Sequence, residues 1–156
     1  MVRMLDLLNL ACLAGSALMA GLFFAFSTSV MKALKTLSPA CGIGAMQSIN
    51  VLIINPLFLT AFLGTAVACV LATFLSLVWS SPGTVGTIAG SALYLIGVIF
   101  VTMRLNVPMN NSLARLSPDA TEAVPVWNSY LARWTAWNHV RALAALAATL
   151  SFALTR

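Results

Sequence analysis

Charge is what this chain lacks. Of its 156 residues only 7% are charged, and the acids number three: Asp6, Asp119 and Glu122. None of the three falls within a long apolar run. That excludes a bridged di-iron centre and a facial triad of two His and one carboxylate, which both need inward carboxylates. Histidine is scarcer still, with His139 alone in the chain. Cys12, Cys41 and Cys69 show no paired spacing, which excludes a CxxC redox motif and a cysteine zinc site. They read as small packing residues. The sequence also has no internal repeat and no low-complexity linker. With 61% hydrophobic residues, it is too apolar for an ordinary soluble domain.

What is present is four apolar runs, at residues 7–31, 49–79, 85–103 and 134–154. Each supplies the roughly 20 residues a helix needs to cross the hydrocarbon core. The first is too long for a secretory signal peptide and lacks a small-residue cleavage site. The expected fold is all-α: one domain over residues 1–156, an integral membrane four-helix bundle with up-down antiparallel order. Small residues recur at four-residue spacing in Ala17, Gly21 and Ala25, in Gly64, Ala68 and Ala72, and in Ala144 and Ala148. They mark faces where helices can approach closely in lipid. "SSPGT" at residues 80–84 reads as a tight turn. Ser38 and Pro39 read as cap and first turn of the second helix, which then enters the core near Ile49. Pro56 should kink that helix, with Asn55 serving the freed backbone groups. Residues 106–126 read as a long structured loop between helices 3 and 4, with one helical turn at 112–116.

The net charge of +5 sits at the ends of the apolar runs. No basic stripe faces water, so nucleic acid is excluded as a partner; the bilayer is the expected one. Lys32, Lys35, Arg104, Arg115 and Arg133 flank the first and third connections, whereas Arg3 and Arg156 mark the other side. The positive-inside bias then predicts a bacterial inner-membrane protein with the Lys32 and Arg115 side cytoplasmic. A homo-oligomer stays open.

The polar residues gather unevenly. Gln47 and Asn50 share a face at the mouth of the second run, with Ser27 and Thr28 near the end of the first. Asn106 and Asn110 follow the third; Trp134, Asn138 and Arg141 share a face of the fourth, with His139 and Trp137 beside it. In an antiparallel threading all of these lie on one side of the membrane. The pattern predicts a pocket between helices, floored by apolar side chains and rimmed by amides, indoles, an imidazole and a guanidinium. Each residue also has a plainer reading. Trp79 and Trp127 suit interfacial anchors, and Trp134 and Trp137 suit either anchors or pocket lining. The amides can merely cap or cross-link helices. Arg133 suits snorkelling. Arg141 lies about two turns deeper, where an Arg should face the bundle interior or a wet cavity.

"FFAFSTSVMKAL", "AMQSIN" followed by "NPLF", "NVPMN" and "WTAWNHVR", in that order, resemble the anthrone oxygenase-like family. These are small four-helix membrane proteins, mostly bacterial and grouped as a domain of unknown function. Fungal members are associated with polyketide pathways that oxidise anthrones to anthraquinones. The resemblance implies a membrane oxygenase for a lipophilic aromatic, with dioxygen as co-substrate. An anthrone is an acidic carbon acid whose anion can react with dioxygen without metal or flavin. Such chemistry needs a base, donors for the oxyanion and a dry aromatic slot. On these grounds His139 is the candidate base, since imidazole titrates near working pH. Arg141, Asn138 and Asn50 complete the candidate catalytic set, with Gln47, Asn106, Asn110, Trp134, Trp137 and Ser27 binding substrate. No cofactor and no metal is expected; a haem held by His139 alone would lack a second ligand and an attachment motif. Two other classes remain: a non-catalytic binder or small transporter using Arg141 as counter-ion, and an accessory subunit whose polar residues only cross-link helices. A transporter should show repeat symmetry or paired broken helices, which this chain does not.

Overall fold

In the computed structural model, which describes residues 2–155, every regular element among the described residues is helical. Five helices result. α1 spans Arg3–Thr36, α2 Pro39–Leu52, α3 Pro56–Val78, α4 Thr84–Ala114 and α5 Ala123–Leu154. Short π-helical stretches interrupt α1 at Phe26–Val30 and α4 at Leu93–Phe100 and Thr102–Asn106.

The four long helices pack in a ring: α1 against α3 and α5, and α4 against α3 and α5. Hydrogen bonds across the ring set its register. Ser91 Oγ donates to the Cys69 carbonyl at 3.1 Å and Tyr94 Oη to that of Phe62 at 2.9 Å, so α3 and α4 run antiparallel. Ser151 Oγ meets the Gly86 carbonyl at 2.9 Å, and Asn106 Nδ2 the Trp134 carbonyl at 3.3 Å, which does the same for α4 and α5. α2 is shorter and packs against α1, α5 and the last turns of α4. Its Ser38 accepts from Cys41 N at 3.4 Å with Pro39 in the first turn, as that dipeptide predicts.

Two expectations about backbone need correction. Pro56 does not kink one long helix; the chain breaks there into α2 and α3. Asn55 Oδ1 accepts from Phe58 N at 3.0 Å, and Asn55 Nδ2 donates to the Leu52 carbonyl at 3.0 Å. One side chain thus closes one helix and starts the next, and an N-cap Asn before an N1 Pro is a stronger signal than the apolar run around it. Residues 106–126 are not mostly loop. α4 continues to Ala114 and α5 begins at Ala123, leaving eight residues, 115–122. A proline ring clashes with the carbonyl four residues back in an α-helix. Here Pro108 lies two residues past the π stretch Thr102–Asn106, and the chain stays helical through it.

The packing faces also differ from the small-residue pattern. Ala17, Gly21 and Ala25 are exposed, as is Gly64. The inward stripe of α1 is Cys12, Ser16, Met19 and Phe23 instead. Four-residue spacing defines a face but not which face turns inward. The close approach between α1 and α3 is at Gly15, where an added Cβ would overlap the Thr65 hydroxyl. Ala68, Ala72 and Ala148 are buried as expected, and Ala144 closes on Gly97. Trp127 is no anchor: it is buried, and its ring fills the space over Gly42.

The surface is apolar while many inward groups are small or polar. Leu18, Phe24, Val67, Phe74, Ile96 and Leu146 are exposed, whereas Asn9, Ser16, Thr65, Ser76, Thr87 and Ser91 are buried. A soluble monomer does not expose that much large apolar side chain. α1, α3 and α4 are long and apolar enough to cross a membrane. α5, with 32 residues, is as long but carries Arg133, Asn138, His139 and Arg141.

Candidate functional site

A cavity of about 350 Å3 lies where two cores meet. One core holds Phe23 and Phe62 with the ring of long helices; the other holds Met46, Trp127, Tyr130 and Trp134 around α2. Its position follows from the backbone irregularities. The α2–α3 break supplies Ile53 and Ile54, the π stretch of α1 supplies Phe26, and that of α4 supplies Thr102 and Met103. The volume falls in the range of small-molecule sites.

At its polar end sits Arg141, only 5% exposed. Its Nη2 donates to Asn138 Oδ1 at 2.7 Å and its Nη1 to Thr102 Oγ1 at 3.3 Å. The guanidinium carbon stands 4.4 Å from the Phe23 ring centre and 5.0 Å from that of Trp134. Every one of these partners is neutral, and no acid lines the cavity. Nε of Arg141 is buried without a partner. Cation–π contact and two hydrogen bonds offset part of the desolvation of a guanidinium, but its charge stays uncompensated.

The amides around it are held in fixed orientations. Asn138 Nδ2 is committed to the Phe23 carbonyl at 2.7 Å and to Ser27 Oγ at 2.6 Å, which turns Oδ1 toward Arg141. Asn110 Oδ1 accepts from Tyr130 Oη at 2.9 Å and from Trp134 Nε1 at 2.8 Å. Both lone pairs of that oxygen are taken, so Asn110 offers the cavity its NH2 group. Asn50 lines the same wall with its Nδ2 buried and unpaired. An unpaired buried donor costs about 1–3 kcal/mol, so two such groups beside one cavity, Arg141 Nε and Asn50 Nδ2, call for an acceptor in it. The tilted Phe26–Trp134 pair, at 5.8 Å, and the stacked Phe58–Phe62 pair, at 5.3 Å, also line the cavity.

Of the residues expected here, Asn50, Asn110, Trp134, Asn138 and Arg141 line the cavity. Asn106 is buried behind it, bound to the Trp134 carbonyl, with Oδ1 unpaired. Ser27 lies behind Asn138 as its acceptor. Gln47 is turned elsewhere: Nε2 donates to the Leu113 and Leu116 carbonyls at 2.8 and 2.9 Å, closing the end of α4. Trp137 is exposed and does not line the cavity. His139 requires the main correction. It is exposed and lies in a separate groove with Lys32 and Lys35. Adjacent residues of a helix point about 100° apart, so with Asn138 inward His139 cannot share its face. The imidazole is not placed to act as base in this cavity. Phe23, Phe58, Phe62, Thr102 and Tyr130 belong to the site and were not anticipated. Tyr130 was legible, since it precedes Trp134 by four residues and Arg141 follows Trp134 by seven.

If Arg141 is present for a ligand and not for the fold, its removal should spare stability. Arg141→Met, which deletes an uncompensated buried cation and keeps most of the stem, is expected to leave thermal stability in detergent unchanged or raised. Asn138→Leu orphans the Phe23 carbonyl, Ser27 and Arg141 together and is expected to lower stability by about 1–3 kcal/mol. Thermal unfolding followed by circular dichroism distinguishes the two.

No curated protein matches this chain, and neither does any solved structure. The sequence profile described as anthrone oxygenase matches residues 55–151. That stretch is well over half of the chain and carries Asn110, Trp134, Asn138 and Arg141; Phe23 and Asn50 precede it. The chain belongs to the anthrone oxygenase family.

Proposed function

We propose that this protein is a membrane-embedded oxygenase or oxidase for a lipophilic aromatic, anthrone- or quinone-like, bound as its anion in the Arg141 cavity. The observation that carries this reading is an aromatic cavity whose polar lining includes a buried guanidinium with no anionic partner and an unpaired amide donor on Asn50. In this reading the four long helices cross the bilayer as an antiparallel bundle and α2 lies near the headgroups. The substrate arrives through the lipid: Ile54, Leu59, Leu63 and Met103 line the cavity and are also exposed on the apolar surface.

Guanidinium stays protonated and amides do not titrate, so the donor set supplies no base. Its effect is on the substrate. A cation and aimed N–H groups favour the ionised form, raising the acidity constant of a carbon acid such as an anthrone. The methylene proton then passes to water at the cavity mouth. The delocalised anion, its charge largely on the former carbonyl oxygen beside Arg141, gives an electron to dioxygen. Recombination forms a carbon–oxygen bond and, with one proton, a hydroperoxide. Loss of the second methylene hydrogen as a proton breaks the O–O bond, releases water and leaves the new carbonyl. Anthrone and dioxygen thus yield anthraquinone and water, with the substrate as the only reductant. No cofactor enters this route.

The test is aerobic anthrone oxidation in proteoliposomes, corrected for spontaneous autoxidation, with quinone formation followed by absorbance. Arg141→Met is expected to lower turnover about 10²- to 10³-fold, the usual effect of losing an oxyanion donor. Asn50→Ala and Asn110→Ala should each cost less, and His139→Ala should stay within about tenfold of wild type, below the usual general-base effect. A loss of several orders of magnitude in His139→Ala would return the base role to the imidazole. Tight binding with no rate above autoxidation would make the protein a binder.

In this reading the end carrying Lys32, Lys35, Arg104 and Arg115 is cytoplasmic. A single cysteine introduced at residues 80–84, with Cys12, Cys41 and Cys69 replaced, should be labelled only from the outer face. Labelling from the cytoplasmic face would overturn the orientation.

A further inference from the structure

The groove that holds His139 has chemistry of its own. It has a volume of about 540 Å3 and lies between the end of α1 and the first half of α5. Lys32 and Lys35, three apart and exposed, form one wall. Asn128, Thr135 and His139 form the other, at spacings of seven and four that keep them on one helix face. Met31, Leu131, Ala132 and Ala136 pave it between them, and no carboxylate lines it. Two ammonium groups with amide, hydroxyl and imidazole donors describe a receptor for an anionic oxygen group. An apolar floor is unnecessary for a free anion but suits one attached to a hydrocarbon chain. The level is also right. α1 leaves its apolar run one residue before Lys32, which is where headgroups sit when the preceding 20 or so residues fill the hydrocarbon core.

We propose that this groove binds the phosphate headgroup of an anionic phospholipid, with Lys32 and Lys35 as its cationic clamp. The acyl chain continues from the Met31 and Leu131 floor along the exposed apolar face of the bundle. Basic pockets between membrane helices on the cytoplasmic side recognise headgroups through this combination of charge and depth. The groove shares no lining residue with the aromatic cavity, although Ser27 lines the groove and accepts from Asn138 of the cavity, and the test of the groove needs no substrate.

The experiment measures binding of a fluorescent phosphatidylglycerol to the full chain in zwitterionic nanodiscs, with phosphatidylcholine and inorganic phosphate as competitors. Phosphatidylglycerol is expected to bind saturably and to be displaced poorly by either competitor. Lys32→Ala/Lys35→Ala should weaken it by roughly tenfold or more. Arg115→Ala, which removes a basic side chain outside the groove, should bind as wild type. Equal binding of the two lipids would overturn the site, as would an unchanged affinity in the double variant or an equal loss in Arg115→Ala. Displacement by millimolar inorganic phosphate would overturn the lipid assignment. Because Lys32 and Lys35 are exposed, the double variant should fold, which a melting temperature equal to wild type in zwitterionic micelles verifies.

Discussion

The structure turns on a buried cation with no anion. Arg141 lies at the level where four helices and the α2–α3 break meet, and its partners are a hydroxyl, an amide and two aromatic faces. A guanidinium in that position is costly unless something negative joins it. Much of the surrounding geometry holds it in place. Asn138 is fixed by α1 so that its oxygen faces Arg141, and the α1 π stretch brings Ser27 under Asn138. Phe23 and Trp134 cover the two sides. A buried cation held in this way is the pattern expected of a binding site.

The cavity differs from a general hydrophobic pocket in the sign of its polar groups. Asn110 has its oxygen occupied by Tyr130 and Trp134, Asn50 presents an unpaired NH2, and Arg141 has only donors. A neutral hydrocarbon would leave Asn50 Nδ2 and Arg141 Nε unsatisfied. A planar aromatic carrying an oxyanion satisfies the donors at one end and the phenylalanine and tryptophan rings along its length. The chain belongs to the anthrone oxygenase family, and the proposed aromatic anion is compatible with this donor set.

How much was readable beforehand divides by physical cause. Helical content and three of the four expected apolar spans were legible because length and hydropathy alone decide them. Asn138 and Arg141 were legible because the same α5 stripe runs through Trp134. The α2–α3 break was half legible: Asn55 and Pro56 carry a capping signal, but the continuous apolar run from 49 to 79 masks it. The extension of α4 through Pro108 was hidden, since it depends on a π stretch that no simple periodicity marks. His139 was misplaced by proximity in sequence. Its neighbour Asn138 points inward, and one step along a helix is enough to leave the cavity. Gln47 shows the opposite failure, a residue on the correct side of the molecule whose hydrogen bonds close a neighbouring helix.

The central claim is that Arg141 selects an anionic aromatic. It is tested most directly by comparing equilibrium binding of an acidic hydroxyanthracene and of its methyl ether, under anaerobic conditions so that no turnover intervenes. In the wild type the ionisable ligand should bind at least about tenfold more tightly, the size of a single charge-assisted hydrogen bond. In Arg141→Met that preference should vanish while the ether binds as before. Equal affinity of the two ligands for the wild type, or a preference that survives in Arg141→Met, would contradict the account.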